Sequence, residues 1–330
     1  MRVCVVFDGR RNMPRSVRQR AAIASNLLTL KEAQDVINAL RDLGHSVGNY
    51  DSSGKVLRHL SRIRNQFDVV FNLASGVAGP DRKGLVPILL DHVHVPYTGS
   101  SAFVHGLVRH KHVATKLVQA YGIRAPDSML VTRENVDECI GLAPLPAIAK
   151  PCFESASAGI SSDSRMISRS ALRKRTETLL KEFRQTVVIE SFVDGREVSV
   201  AVVGAGRPRV FGAVELLMPD GSVPGKRPLD FDLVKNYSYS MRAPAQEISM
   251  RRIEDAAILA YKVLGIRDYG RVDFRVDEEG RPTFLEASTH PHIFRTSEFA
   301  FIAESQGLPY REVVRTILSE ARGRIESNQA

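Results

Sequence analysis

The chain has no tryptophan, and aromatic residues make up only 7% of its 330 positions. Its three cysteines, Cys4, Cys139 and Cys152, lie far apart and form no C-x-x-C pair. That spacing excludes a thiolate zinc site and a dithiol redox motif, so free thiols in a reducing cytoplasm are expected. Cys152 has no histidine-plus-orienter pattern that would mark it as a nucleophile. No apolar run is long enough to span a bilayer, and a strand opens the N-terminus directly, Arg2-Val3-Cys4-Val5-Val6-Phe7. Neither a membrane span nor a signal peptide is expected, and the location expected is cytoplasmic. There is no internal repeat and no low-complexity tract.

What is present is ordinary globular composition, 43% hydrophobic and 25% charged. The length predicts about two or three domains. Lysine and arginine (46) exceed aspartate and glutamate (37), for a net charge of +9. The basic residues are spread along the chain with no stacking motif among them, so anionic small molecules explain the charge without nucleic acid. A nucleic-acid binder is the competing reading, and it predicts salt-dependent affinity without ATP turnover.

The first hundred or so residues alternate strand and helix. Strands are predicted at 2–7, 46–50 and 67–72, and helices at 27–43, 53–64 and 83–92. This βαβ series predicts a parallel sheet with helices on both faces, and ligands at the strands' carboxyl ends. Those ends carry Asp8-Gly9-Arg10-Arg11 and Asn72-Leu73-Ala74-Ser75-Gly76. A helix at 111–122, strands at 128–131 and 145–150 and a helix at 170–183 follow. Between the last two, 152–160 is a small-residue loop able to bring backbone amides close to a ligand. Antiparallel strands are predicted at 187–192, 196–204 and 208–217. Helices at 250–264, 297–306 and 310–322 complete the chain, whose last eight residues are expected to fray.

Two runs near the C-terminus, Gly270-Arg271-Val272-Asp273-Phe274 and Phe284-Leu285-Glu286-Ala287-Ser288-Thr289, flank the turn signal Asp277-Glu278-Glu279-Gly280. Alternation on both flanks predicts paired strands that set Asp273 beside Glu286. Two carboxylates on rigid strands, with Arg271 next to them, suit Mg²⁺ and a phosphorylated ligand. A salt-bridged hairpin would share the pattern. Lys111, Lys150 and Lys235, with the small-residue loop, supply positive charge and donors for phosphates.

In this order, Pro96-Tyr97-Thr98-Gly99-Ser100, the Lys111 helix, Lys150-Pro151, Glu190 through Glu197, Arg271-Val272-Asp273, Glu286-x-x-Thr-x-Pro291 and Gly307-Leu308-Pro309-Tyr310 resemble the D-alanine–D-alanine ligase branch of the ATP-grasp superfamily. The resemblance covers about residues 65–320. It implies an α/β ATP-grasp fold, with an N-terminal parallel-sheet (pre-ATP-grasp) domain and two α+β lobes clamping ATP. The implied divisions are 1–104 (Rossmann-like), 105–186 (small central lobe) and 187–330 (lobe with metal and substrate site). It implies ATP-dependent C–N ligation, in which a carboxylate is phosphorylated and an amine attacks the acyl phosphate, leaving an amide, ADP and phosphate.

The resemblance also implies roles for matching residues. Lys111 and Lys150 contact phosphates, and the loop holding Glu154, Ser155, Ala156 and Ser157 folds over them. Glu190 and the backbone of Phe192 and Val193 take the adenine, and Glu197 the ribose. Lys235 reaches the γ-phosphate and Arg271 stabilises the oxyanion. Asp273, Glu286 and Ser288 hold two Mg²⁺ ions, for which Mn²⁺ can substitute. Carboxylate and amine substrates lie against Arg10, Arg11, Arg15, Asn72, His292 and Ser297, and only the resemblance suggests a homodimer. Several positions depart from the family: Ser288 replaces asparagine, His292 replaces glycine, and arginines replace the acid after the first strand. Arginine forks pair with carboxylate or phosphate and repel ammonium. The expected substrates are therefore not two D-alanines. Cell-wall D-alanine–D-alanine ligation and a nucleotide-binding homologue without catalysis are the alternatives, and Arg271 argues against the second.

Overall fold

Strand β1 (Arg2–Phe7) is apolar on both faces because both are covered. Val3, Val5 and Phe7 pack with Ala33, Val36, Ile37 and Leu40 of the helix Leu30–Asp42. Cys4 and Val6 pack with Ile63, Val86 and Leu90 on the other side. β1 is the central strand of a parallel sheet, flanked by β2 (Ser46–Asp51) and β3 (Val69–Leu73). The computed structural model describes residues 1–9, 30–52, 60–76, 79–245 and 249–327. Arg10, Arg11 and Arg15, which were assigned to substrate binding, lie outside the described residues. So do the starts of the two helices predicted at 27–43 and 53–64, seen here as Leu30–Asp42 and Leu60–Gln66.

A second sheet has the order β4 (Ser128–Val131), β6 (Val187–Ser191), β5 (Ala147–Pro151), all antiparallel. β6 pairs with both neighbours, so this sheet continues past residue 186 to Ser191. Leu172, Leu179 and Leu180 of the helix Arg169–Phe183 cover it, together with Cys139 and Ile140 of the helix Val136–Leu142. Sequence periodicity missed that short helix and Ala102–Arg109, because seven or eight residues carry about two turns of pattern.

The third sheet is antiparallel, in the order β11 (Pro282–Ser288), β10 (Tyr269–Val276), β7 (Arg196–Val203), β8 (Arg209–Leu217), β9 (Ser240–Arg242). Val198, Val200 and Val202 of β7 face the helix Met250–Val263. The alternate residues Ala201 and Val203 share a core with Ile302, Ile317 and Leu318, and with Val3 and Val5 of the first sheet. One apolar core therefore joins the N-terminal sheet to the largest one. Among the described residues no helix is long and apolar enough to cross a membrane.

The last helix, Arg311–Ser327, runs through residues that the sequence reading treated as frayed. Arg324 explains the difference. Its guanidinium donates to Asp268 Oδ1 and Oδ2 at 2.9 and 2.8 Å and to the Tyr97 carbonyl at 2.7 Å. Asp268 also accepts from the Gly99 amide at 2.8 Å and is completely buried. One carboxylate thus ties the C-terminal helix, the entry to β10 and the 97–99 segment. Replacing Asp268 by alanine should cost about 3–5 kcal/mol, because it leaves Arg324 and an amide without their acceptor. Urea unfolding measures this directly, and a loss below about 1 kcal/mol would show the bridge to be dispensable.

Candidate functional site

The register of β10 and β11 sets Asp273 directly opposite Glu286 and Arg271 opposite Ser288, with a bulge just after Asp273. Arg271 grips Asp273 through two parallel bonds, Nε to Oδ1 at 2.8 Å and Nη2 to Oδ2 at 2.9 Å. Its third nitrogen, Nη1, reaches Glu298 Oε1 at 3.0 Å. Ser199 Oγ donates to Asp273 Oδ1 at 2.6 Å. Burial pushes the Asp273 carboxyl above its usual range, against the opposing pull of Arg271. Glu286 accepts from Lys111 Nζ at 2.6 Å. Burial would raise the Glu286 carboxyl as well, but Lys111, Lys150 and Arg271 outweigh it and hold the group below the carboxylate range. About a third of its side-chain surface is open, which also favours the charged form.

These groups line a cleft of about 560 Å³ between the sheets. Lys150, on β5, pairs with Glu190 of β6 at 2.6 Å. Glu190 uses one oxygen for that contact; the other, Oε1, is buried with no partner among the described residues. Glu197 pairs with Arg275 at 3.0 Å, and burial pushes its carboxyl up. Phe192 and Val193 line the same wall. Lys235 ends the helix Phe231–Lys235 and lines the cleft near Tyr237 and Tyr239. Tyr239 donates to Glu298 at 3.4 Å.

The loop after β5 brings Ser155, Ala156 and Ser157 to the cleft. Ala156 and Ser157 have φ of 55° and 53°, a conformation that costs L-residues about 1–2 kcal/mol each. Glu154 is held between Arg82 at 3.2 Å and Gln185 at 3.0 Å, which fastens the loop to the turn after β3. Ser288, His292 and Ser297 line the far end. Ser297 Oγ caps the helix Glu298–Ser305 by accepting from the Ala300 amide at 3.3 Å. Burial lowers His292 to about 4.

Asn72 departs from expectation. It does not line the cleft: its side chain accepts from the Ala74 amide at 3.1 Å, and its carbonyl lies 3.1 Å from His290 Nε2. A strand-end polar residue here completes backbone bonding rather than facing a ligand. Cys152 is sealed, with burial pushing its thiol up, so it is no exposed nucleophile. Sequence reasoning missed Lys83, Arg109, Ser199, Arg275 and Glu298, all of which line the cleft. The adjacent Arg82 and Lys83, at the carboxyl end of the first sheet, were the available signal for part of this.

The oxygen donors Asp273, Glu286 and Ser288 fit Mg²⁺, which takes one or two carboxylates and completes its shell with water and phosphate oxygens. Among the described residues no group of three His, Cys, Asp or Glu could hold a metal alone. Phosphate oxygens are the natural remaining ligands. The orphaned Oε1 of Glu190 fits a ligand amine.

The family described as D-ala D-ala ligase C-terminus matches residues 111–319. A D-alanine–D-alanine ligase of Aquifex aeolicus is 28% identical over 322 residues, covering 97% of this chain and all of that protein. An uncharacterized protein of Sinorhizobium fredii is 27% identical over 313 residues, covering 90% and 89%. The D-alanine–D-alanine ligase of Bacillus anthracis, solved in complex with ATP, superposes with a TM-score of 0.74 at 20% identity over the whole of both chains. The VanG D-Ala:D-Ser ligase of Enterococcus faecalis does so at 0.73 and 20%, covering 97% and 99%.

His105 stands behind the site, its Nδ1 2.6 Å from Thr289 Oγ1, and it is fully enclosed. Burial, then the neighbouring His290 and Lys83, hold it well below its usual value. The folded protein keeps this ring neutral while the unfolded chain protonates it below about pH 6.5. Stability should therefore fall as pH drops from about 6.5, at about 1.4 kcal/mol per unit from this residue, until the folded value is reached. His105→Gln should shrink the loss between pH 7 and pH 5 by about 2 kcal/mol in urea unfolding. An unchanged acid limb would show that His105 is not held neutral.

Proposed function

The chain belongs to the D-ala D-ala ligase C-terminus family, of the ATP-grasp superfamily, and on that premise we propose that it is an ATP-dependent ligase joining a carboxylate to an amine other than as two D-alanines. The observation that carries this reading is the Asp273–Glu286 pair, set in register and held by Arg271 and Lys111. A protein that only bound nucleotide would have no use for an arginine beside its metal carboxylates.

Each side chain has a task in this reading. Lys111, Lys150 and Lys235 offset phosphate charge, and the 154–157 loop supplies amides over it. Glu190 Oε1 accepts from the exocyclic amine of adenine, the backbone of Phe192 and Val193 frames the ring, and Glu197 takes the ribose hydroxyls. Asp273, Glu286 and Ser288 hold Mg²⁺, which when bound neutralises charge on the transferring phosphoryl group. Arg271 faces the carboxylate being activated and stabilises the oxyanion formed when the amine attacks. His292 and Ser297 frame the amine substrate. The segments 1–104, 105–186 and 187–330 act as Rossmann-like N-terminal domain, central lobe and metal-bearing lobe, with β6 carrying the central lobe's sheet on to Ser191, and the functional unit is a homodimer.

The altered substrate pair rests on two departures from the family's sequence pattern. Between Asp8 and Glu32 there is no acid to hold a substrate ammonium, and there are five arginines. His292 brings a ring where the family has glycine. The D-alanine–D-alanine reading is favoured by the names of relatives such as the Aquifex protein. A phosphate-release screen with ATP, Mg²⁺ and paired amino acids or other carboxylates, with the product identified by mass, separates the two. D-alanine as the best first substrate would overturn the altered pair.

With the productive pair in hand, Asp273→Asn and Glu286→Gln should each fold and lose about a hundredfold or more in turnover. Near-normal turnover in either variant would place the metal elsewhere. ATP should also bind well ahead of GTP, and equal binding would remove Glu190 from adenine recognition.

A further inference from the structure

One cation of the cleft has no task in this scheme. Lys83 lies in the 3₁₀ turn Arg82–Gly84, is only 5% exposed, and lines the cleft. Among the described residues it makes no hydrogen bond and no ion pair. Its neighbours do not compensate it. Arg82 is committed to Glu154, and Arg109 donates to the carbonyls of Pro80, at 2.8 Å, and Phe153. Burial holds the Lys83 ammonium well below its usual value, so its charged form is favoured when a ligand brings an anionic group into the cleft beside it.

The turn is held firmly. Asp8 accepts from the amides of Ser75 and Gly76 at 2.6 Å each. Gly76 has φ of 72°, and a Cβ there would lie 2.1 Å from the Arg82 carbonyl oxygen, so only glycine lets the turn pack this closely. Lys83 is thus presented from a rigid support.

Its position in the cleft identifies the ligand. The Arg82–Gly84 turn follows β3, whose Asn72 carbonyl lies 3.1 Å from His290 Nε2, next to Ser288 and Thr289. Lys150 and Glu190, the expected nucleotide-base end, are a separate pair. Three other lysines already serve the phosphates in the proposed scheme. We propose that Lys83 receives a second anionic group, of the carboxylate class, on the substrate whose first carboxylate is activated. This deepens the ligase reading and rests on it for the order of events. The anion site itself is a property of the cleft.

The test titrates the full chain by calorimetry with the linear dicarboxylates from malonate to adipate, with and without an ATP analogue and Mg²⁺. At least one should bind the parent protein. Lys83→Met should weaken that binding by about tenfold or more, while Lys83→Arg stays within about threefold of the parent. ATP affinity should be the same in all three proteins. Lys83→Met should also melt above the parent, since it removes a buried amine that has no partner among the described residues, and that rise verifies that the variant is folded. The proposal is overturned if no dicarboxylate binds the parent or if Lys83→Met binds as well. It is also overturned if ATP affinity falls about tenfold in Lys83→Met, which would make Lys83 a phosphate ligand. Because dicarboxylate binding is read without nucleotide as well, failure of the parent to bind ATP would count against the ligase reading alone.

Discussion

The structure depends on how charge is carried into its cleft. Asp273, Glu286, Glu190 and Glu197 each face inward, and each is met by a cation: Arg271, Lys111, Lys150 and Arg275. Charges withdrawn from water are tolerated only when paired in good geometry, and these pairs lie between 2.6 and 3.0 Å. The pairs also join separate elements, since Lys111 opens a helix and Glu286 lies on β11. In the proposed reaction the same alternation is useful twice. The carboxylates would hold the metal, and the cations released from them would face the phosphates.

Around that charge the three sheets serve as supports. The third sheet sets the carboxylates by register, and the second carries Lys150 and Glu190 on adjacent strands. The first contributes the Arg82–Lys83 turn, anchored by Asp8 and Gly76. The shared core of the first and third sheets, with the Asp268–Arg324 tie, keeps that turn against the hairpin. The mouth is the less relaxed part. Ala156 and Ser157 hold left-handed conformations that glycine would adopt freely, and Glu154 fastens the loop to Arg82. Strain of this kind persists where surrounding contacts over-determine it.

Much of the C-terminal half was legible in the sequence. That Asp273 and Glu286 lie on neighbouring strands followed from period-two alternation on either side of Asp277–Gly280, but the bulge after Asp273 sets the exact register, since the pairing continued from the turn would meet Leu285 instead. The Lys111 helix, the Lys150 strand and the small-residue loop were likewise local patterns, and their places agree closely with the structure. The N-terminal parallel sheet was readable because β1 is apolar on both faces.

Other features were settled by contacts between residues distant in the chain. Asn72 looked like a cleft residue at a strand end, and tertiary structure turned its side chain to a local amide instead. The C-terminal residues looked frayed until Arg324 met an aspartate 56 positions away. Lys83 read as one basic residue among 46. Its significance lies in being buried without a partner among the described residues, a property of everything packed around it. By itself the sequence determined element types, the pairing of the hairpin strands and the order of the charged residues, because short-range periodicity and turn chemistry control these. Only the tertiary structure decided which charges meet, which stay unpaired and which residues face the cleft, because burial and pairing are set by surfaces brought together from across the chain.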